Sequence, residues 1–255
     1  MALSGAGLVL LTYVFPAIGC VVSLLTFSSS VAAVLQVRRK RSIGQLNPVP
    51  YPAILAQTTG QVVYGSVIGN WFIFWANAPG LLLGIWLTLS TIPFAAPRVQ
   101  NIMTACVMLL AIYIATLALV TTHIDAPHHT KATIWGAAGT VALVLYYTAP
   151  LSTLIKVVRK RDSSSLHPPL CIMNVVNVVC WLSYGVAIKN PFIWGPETGG
   201  AVLSISALAL LLIYPRKEIV LERSRLQADG NAASSAGLPR HSDYDSLRDE
   251  HSIHG

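Results

Sequence analysis

SIGQLNPVPYPAILAQTTGQVVYGSVIGNWFIFWANAPGLLLGIWLTLSTIPFAAP, residues 42–97, runs for 56 residues without one Asp, Glu, Lys or Arg. A helix rises about 1.5 Å per residue, so roughly 20 apolar residues cross a ~30 Å hydrocarbon core. The stretch is too long for one crossing and long enough for two. Gly69-Asn70-Trp71 is the expected break, because Gly and Asn are turn formers. A soluble core helix would need a polar face towards water, and none is visible.

The same absence of charge recurs over Leu8–Val37, Val99–Thr122, Ala132–Ile155 and Ser163–Ile188. Hydrophobic residues make up 54% of the 255 and charged ones 11%, against about 25% charged in soluble domains. The expected spans are Leu8–Val37, Tyr51–Ile68, Phe72–Phe94, Ile102–Thr121, Trp135–Val158, Leu170–Ile188 and Ile193–Tyr214. The chain is therefore expected to be an all-α integral membrane protein of seven helices. Seven crossings put Arg38–Arg41, Arg98, Lys156, Arg159–Arg161 and Arg216-Lys217 on one side, and Lys131 and Lys189 on the other. The positive-inside bias then predicts an outer N-terminus and a cytoplasmic C-terminus. The net charge of +7 belongs to this topology, so no nucleic-acid partner is expected. Met1–Leu11 lacks a basic n-region and reads as the start of the first span rather than a cleaved signal. From residue 216 to 255 the composition turns polar and predicts a disordered cytoplasmic tail, in which Tyr244-Asp245-Ser246-Leu247 has the form of a sorting signal that chance also produces.

An internal repeat organises these helices. At an offset of 120 residues, Arg39–Arg41 falls on Arg159–Arg161, Leu46 on Leu166, Pro48 on Pro168, and Tyr64-Gly65 on Tyr184-Gly185. Asn70 meets Asn190, Phe72-Ile73 meets Phe192-Ile193, and Gly80 meets Gly200. Duplication accounts for this register better than shared topology does. Three helices per copy would invert the second copy, and a single linking helix restores its orientation. The expected layout is two parallel triple-helix bundles, residues 8–97 and 128–215, joined by a linker helix within 98–127. Parallel repeats with a substrate site at their interface are a transporter feature.

Few polar residues stand inside the spans. Glu197 is the acidic one; an ionisable group in a membrane is costly and functional by default. The bland alternative puts Pro196-Glu197 in the first turn of the seventh helix, where the dipole favours a carboxylate. The repeat pairs Glu197 with Asn77, Trp181 with Gln61, and Asn177 with Gln57. Amides that donate and accept, beside an indole that stacks on a sugar face, suit a polyhydroxy ligand. Pro48, Pro50, Pro52, Pro168 and Pro169 sit where helices start after a loop. Pro150 lies within a continuing apolar helix, so a kink and a hinge are expected there. Cys20, Cys106, Cys171 and Cys180 lack metal spacing and read as small buried hydrophobes. His128-His129 beside Asp125 reads as a solvated loop. No nucleotide loop, catalytic triad or zinc spacing is present, so neither an enzyme nor a cofactor is expected.

These features resemble the SWEET sugar transporters of the wider PQ-loop group. Val49-Pro50-Tyr51-Pro52 before Tyr64-Gly65 carries the resemblance, as does Cys180-Trp181-Leu182-Ser183-Tyr184-Gly185 before Asn190-Pro191-Phe192-Ile193. It spans Leu8 to Pro215. It implies facilitative, bidirectional sugar movement by rocking one triple-helix bundle against the other, with a sugar of the glucose or sucrose class as partner. It implies a cytoplasmic gate of four prolines, matched by Pro50, Pro150 and one of Pro168 and Pro169, with Ser30 at the fourth position. The outer gate matches Tyr64, with Asn190 in place of an aspartate. The sugar site matches Asn77 and Trp181, with Glu197 in place of a second asparagine and Gln61 facing the tryptophan. Glu197 is thereby expected to alter selectivity or introduce a dependence on pH.

The resemblance further implies a homo-oligomer in the plasma membrane, with a vacuolar or other internal membrane as the alternative. A proton-coupled PQ-loop carrier of amino acids is a second reading, favoured by Glu197 and opposed by the missing Pro-Gln signature. A seven-helix receptor is a third, opposed by the repeat.

Overall fold

Regular structure in the computed structural model, which describes residues 5–44 and 46–216, is helical throughout. In chain order the α-helices are α1 (Gly5–Val9), α2 (Phe15–Ser28), α3 (Val31–Lys40), α4 (Pro50–Val67) and α5 (Trp71–Thr91). They continue with α6 (Pro97–His123), α7 (His128–Tyr146), α8 (Thr148–Lys160), α9 (Pro168–Ala187) and α10 (Pro191–Ile213). Apart from Arg216, the expected tail lies outside the described residues, and so does Tyr244-Asp245-Ser246-Leu247.

Among the described residues six stretches are long and apolar enough to cross a membrane: Gly5–Lys40, Trp71–Phe94, Pro97–His123, His128–Lys160, Pro168–Ala187 and Pro191–Ile213. The expected second span, Tyr51–Ile68, is occupied by α4, which is 18 residues long and not among the six. Its physical reason is local. α4 carries Gln57, Thr58, Thr59 and Gln61 in two turns, and buries Gln57, Thr58 and Gln61. A helix packed against α5 and α7 has less need of an apolar exterior, since its polar groups face protein.

Two expected spans are not single rods. The first contains a widened π turn at Leu10–Val14, immediately before Pro16, whose missing N–H frees a carbonyl of that turn. It breaks again at Ser29-Ser30, where the Ser29 hydroxyl donates to the Thr26 carbonyl at 2.7 Å; such back-bonding bends helices. The fifth span breaks at Tyr147, between α7 and α8. Pro150 thus does interrupt its helix, one turn upstream, where its absent N–H and ring are felt.

The 120-residue offset reappears in the backbone. Arg41 and Arg161 end α3 and α8 in the left-handed region, at φ 49° and 48°. Gly69 and Lys189 adopt φ 66° and 55° in the turns before α5 and α10. Asn70 and Asn190 then cap those helices, each side chain accepting a backbone N–H, from Ile73 and Phe192 respectively. Neither turn leaves room for a side chain behind it. A Cβ on Gly65 would lie 2.8 Å from the Phe74 nitrogen, and one on Gly185 2.7 Å from the Trp194 nitrogen.

Packing follows the repeat too. α5 contacts both α2 and α4, and α10 contacts both α7 and α9. The two groups meet where α4 crosses α7 and where α2 crosses α9. At the first crossing a Cβ on Gly60 would stand 2.9 Å from the Gly139 Cα; at the second, Gly19 lies under the Trp181 ring. Small residues let membrane helices approach this closely. α6 touches α4 and α7 and exposes Met108, Leu109, Ile112 and Leu119. With Leu25, Leu82, Leu89 and Leu212, these give the molecule the apolar exterior that a bilayer requires. The chain is a multi-pass membrane protein.

Candidate functional site

A cavity of about 350 Å³ lies between the two groups of helices, lined from α2, α4, α5, α7, α8, α9 and α10. It reaches the loop residues Ser165, Leu166 and His167, at the end of the molecule that carries Arg38–Arg41 and Arg159–Arg161. All six expected pocket residues line it: Gln57, Gln61, Asn77, Asn177, Trp181 and Glu197. Its size and its mixture of apolar wall with a few placed polar groups are those of a small-molecule site.

Hydrogen bonds fix these groups unequally. Gln57 Nε2 donates to Asn77 Oδ1 at 3.1 Å, and Asn77 Nδ2 donates to the Ile73 carbonyl at 3.0 Å. Across the repeat, Asn177 does not bond Glu197. It accepts instead from the Ser23 hydroxyl at 2.9 Å, and Ser23 Oγ itself receives the Trp181 indole N–H at 3.4 Å. Trp181 is 6% exposed and stands edge-on to Tyr184, with ring centroids 5.9 Å apart. Its plane is therefore held by Gly19, Ser23 and Tyr184 before any ligand arrives. Glu197 sits inside α10, six residues after its start at Pro191, rather than in the first turn.

Phe27 and Tyr147 also line the cavity and are repeat partners. Each packs against a glycine of its own half: a Cβ on Gly80 would meet the Phe27 ring at 2.6 Å, and one on Gly200 the Tyr147 hydroxyl oxygen at 2.7 Å. Sequence reasoning passed over both, because they are partners without being identical. Ser23 was missed for another reason, since its importance depends on the rotation of α2. Replacing Ser23 with Ala removes two hydrogen bonds around Trp181 and Asn177, each a net ~1 kcal/mol. Ligand KM is expected to rise by up to about thirtyfold with helical content unchanged, as read by substrate titration and circular dichroism.

The opposite end is closed. The Tyr64 hydroxyl lies 3.0 Å from Asn190 Oδ1 and 2.8 Å from its Nδ2. The repeat supplies a second pair, in which Asn70 Nδ2 donates to the Tyr184 hydroxyl at 2.6 Å. Each bond joins a tyrosine of one half to an asparagine of the other. Phe192 packs edge-on against Tyr64 and Phe72 against Tyr184, at 5.8 and 5.9 Å. Ile73, Ala76, Trp135 and Ile193 fill the space beneath. Asn70 and Tyr184 were not singled out from the sequence, although the repeat had aligned them with Asn190 and Tyr64.

Pro150 lines the cavity; Pro50, Pro168, Pro169 and Ser30 do not. Pro50 and Pro168 open α4 and α9, and Pro169 is exposed. Among the described residues no three His, Cys, Asp or Glu side chains gather to hold a metal.

Known proteins resemble this chain in sequence and in fold. A family model described as "Sugar efflux transporter for intercellular exchange" matches residues 13–96 and 133–219, two stretches beginning 120 residues apart. The chain is 27% identical to Bidirectional sugar transporter SWEET11 of Oryza sativa subsp. japonica, over 87% of this chain and 73% of that protein. It is 28% identical to Sugar transporter SWEET1 of Drosophila pseudoobscura pseudoobscura, over 69% of this chain and 78% of that protein. A solved eukaryotic SWEET transporter superposes with a TM-score of 0.70 at 19% identity, covering 78% of this chain and 94% of the other.

Proposed function

Because the chain belongs to the family of sugar efflux transporters for intercellular exchange, we propose that it moves a small sugar across the membrane, in both directions and down its gradient. The observation that carries this reading is the cavity. It is walled by amides and an indole from both repeats, reaches the basic end, and is sealed at the other end by two Tyr–Asn pairs. Alternating access needs such a site between two bodies, one of whose ends is shut at a time.

On this reading the helices form two parallel triple-helix bundles, residues 8–97 and 128–215, with 98–127 as the linker between them and α4 as the seventh crossing. Rocking the bundles separates the Tyr–Asn pairs and draws the other end closed, with the breaks at Ser29-Ser30 and Tyr147 as hinges and Pro50, Pro150 and Pro168 around the narrowing. Trp181 stacks on the apolar face of the sugar, while Gln57, Asn77 and Asn177 exchange hydrogen bonds with its hydroxyls. Gln61 stands opposite Trp181. The basic end is cytoplasmic by the charge bias, so the form described is inward-facing. The plasma membrane is the proposed location and a homo-oligomer the proposed assembly, each protomer holding its own path.

Radiolabelled glucose and sucrose flux in proteoliposomes tests this. Saturable exchange in both directions, unchanged by an imposed pH gradient, is the expected result. Binding without flux would return the receptor reading. Trp181→Phe keeps an aromatic face but loses the fused second ring and the N–H donated to Ser23, so its KM is expected to rise about fivefold or more in the same assay.

A further inference from the structure

The two halves differ where they should match most closely. Asn77 is held within its own half, accepting from Gln57 and donating to Ile73. Its partner Glu197 lines the same cavity and has no hydrogen-bond or ion-pair partner among the described residues, because Asn177 has turned to Ser23. No Lys or Arg lines the cavity. The other titratable side chains in its wall are Tyr146, Tyr147, His167 and Cys171; α2, α4 and α5 contribute none. A carboxylate in a confined site without a counter-charge is costly unless the ligand supplies one.

The geometry points to Glu197 as a specificity-determining residue that selects a sugar bearing an ammonium group, an amino sugar in its protonated form, over the neutral hexose. The inference rests on the sugar-transport reading above. An ammonium offers three donors and a full positive charge to the carboxylate, while the amides and Trp181 hold the rest of the ring as they hold any hexose. An amino acid fits the cavity less well, since its own carboxylate would face no Lys or Arg. A neutral sugar can donate hydroxyl hydrogens to Glu197 and leaves its charge uncompensated.

The test is exchange in proteoliposomes of labelled glucose against unlabelled glucose, glucosamine and N-acetylglucosamine, in near-neutral buffer, which keeps much of the amine protonated without forcing a proton onto the carboxylate. N-Acetylglucosamine keeps the substituent and removes the charge. Glucosamine is expected to compete at a concentration at least tenfold below either neutral sugar. In Glu197→Gln the ratio of glucosamine to glucose potency is expected to fall to about one. The ratio is internal to each preparation, so a poorly folded variant does not mimic the result, and the wild-type comparison stands without any variant. Equal competition by all three sugars in the wild type overturns the inference, as does an amine preference that survives in Glu197→Gln. Glucose flux that follows a pH gradient, without amine preference, overturns it in favour of a proton on Glu197. Absence of flux for every sugar overturns the transport reading itself.

Discussion

Alanine at Gly65 or at Gly185 is expected to cost the fold about 2–3 kcal/mol, the upper range for overpacking a tight contact. In both places the added Cβ meets main chain: the Phe74 nitrogen at 2.8 Å, or the Trp194 nitrogen at 2.7 Å. A side chain in the way could rotate, but a helix start cannot. Asn70 and Asn190 donate their backbone N–H groups to the Gly65 and Gly185 carbonyls, at 2.8 and 2.9 Å. Any shift therefore pulls on the cap that aims the asparagine at its tyrosine. Thermal unfolding in detergent should show both variants melting earlier, with closure at that end impaired as well. Gly195→Ala is the control, because nothing lies within 4 Å of its added carbon, and as a helical Gly→Ala change it should leave the midpoint unchanged or raise it. Equal melting of all three variants would remove the steric argument.

The paired Tyr64→Phe and Tyr184→Phe variant should open the sealed end about thirtyfold more often than the parent, and either single variant about fivefold. Each substitution deletes a neutral hydrogen bond worth a net ~1 kcal/mol, and every 1.4 kcal/mol is a factor of about ten. The rings keep their edge contacts with Phe192 and Phe72, so the packing term is held constant. Cys20 is a native reporter. Its thiol lies 3.5 Å from the Phe72 carbonyl and packs against the cluster that forms the seal. With the other cysteines replaced by serine, its labelling by an impermeant maleimide reads the opening equilibrium. A pair no faster than the singles would mean that one bond alone holds the end shut.

How much of this was legible without coordinates depended on which physical signal each residue left. Absence of charge marked the apolar helices, because a hydrocarbon environment tolerates few charges. It served α4 less well, where Gln57, Thr58 and Gln61 are buried against other helices. The repeat gave the pairs Gln57 with Asn177, Gln61 with Trp181 and Asn77 with Glu197, all of which line the cavity. It held Asn70 and Tyr184 as well, aligned with Asn190 and Tyr64. Ser23 left no such trace. A lone serine in an apolar helix is ordinary, and only the azimuth of α2 puts it between Trp181 and Asn177. The prolines marked helix starts and one break, and a helix start carries no signal of its distance from the cavity.

Each Tyr–Asn pair crosses from one half to the other, and each half supplies one tyrosine and one asparagine. A polypeptide containing a single half would already own both sides of that joint. Two copies facing each other about a twofold axis would close both pairs with one surface, as isologous dimers do. On the layout proposed above, the chain is a dimer fused by a tether, α6, that leaves both subunits pointing the same way. Fusion frees a design that a homodimer cannot reach: a change on one side of the axis need not be copied on the other. Asn77 across from Glu197, Gln61 across from Trp181, and Ser30 across from Pro150 are changes of that kind. The asymmetry of the pocket is what joining the halves made possible.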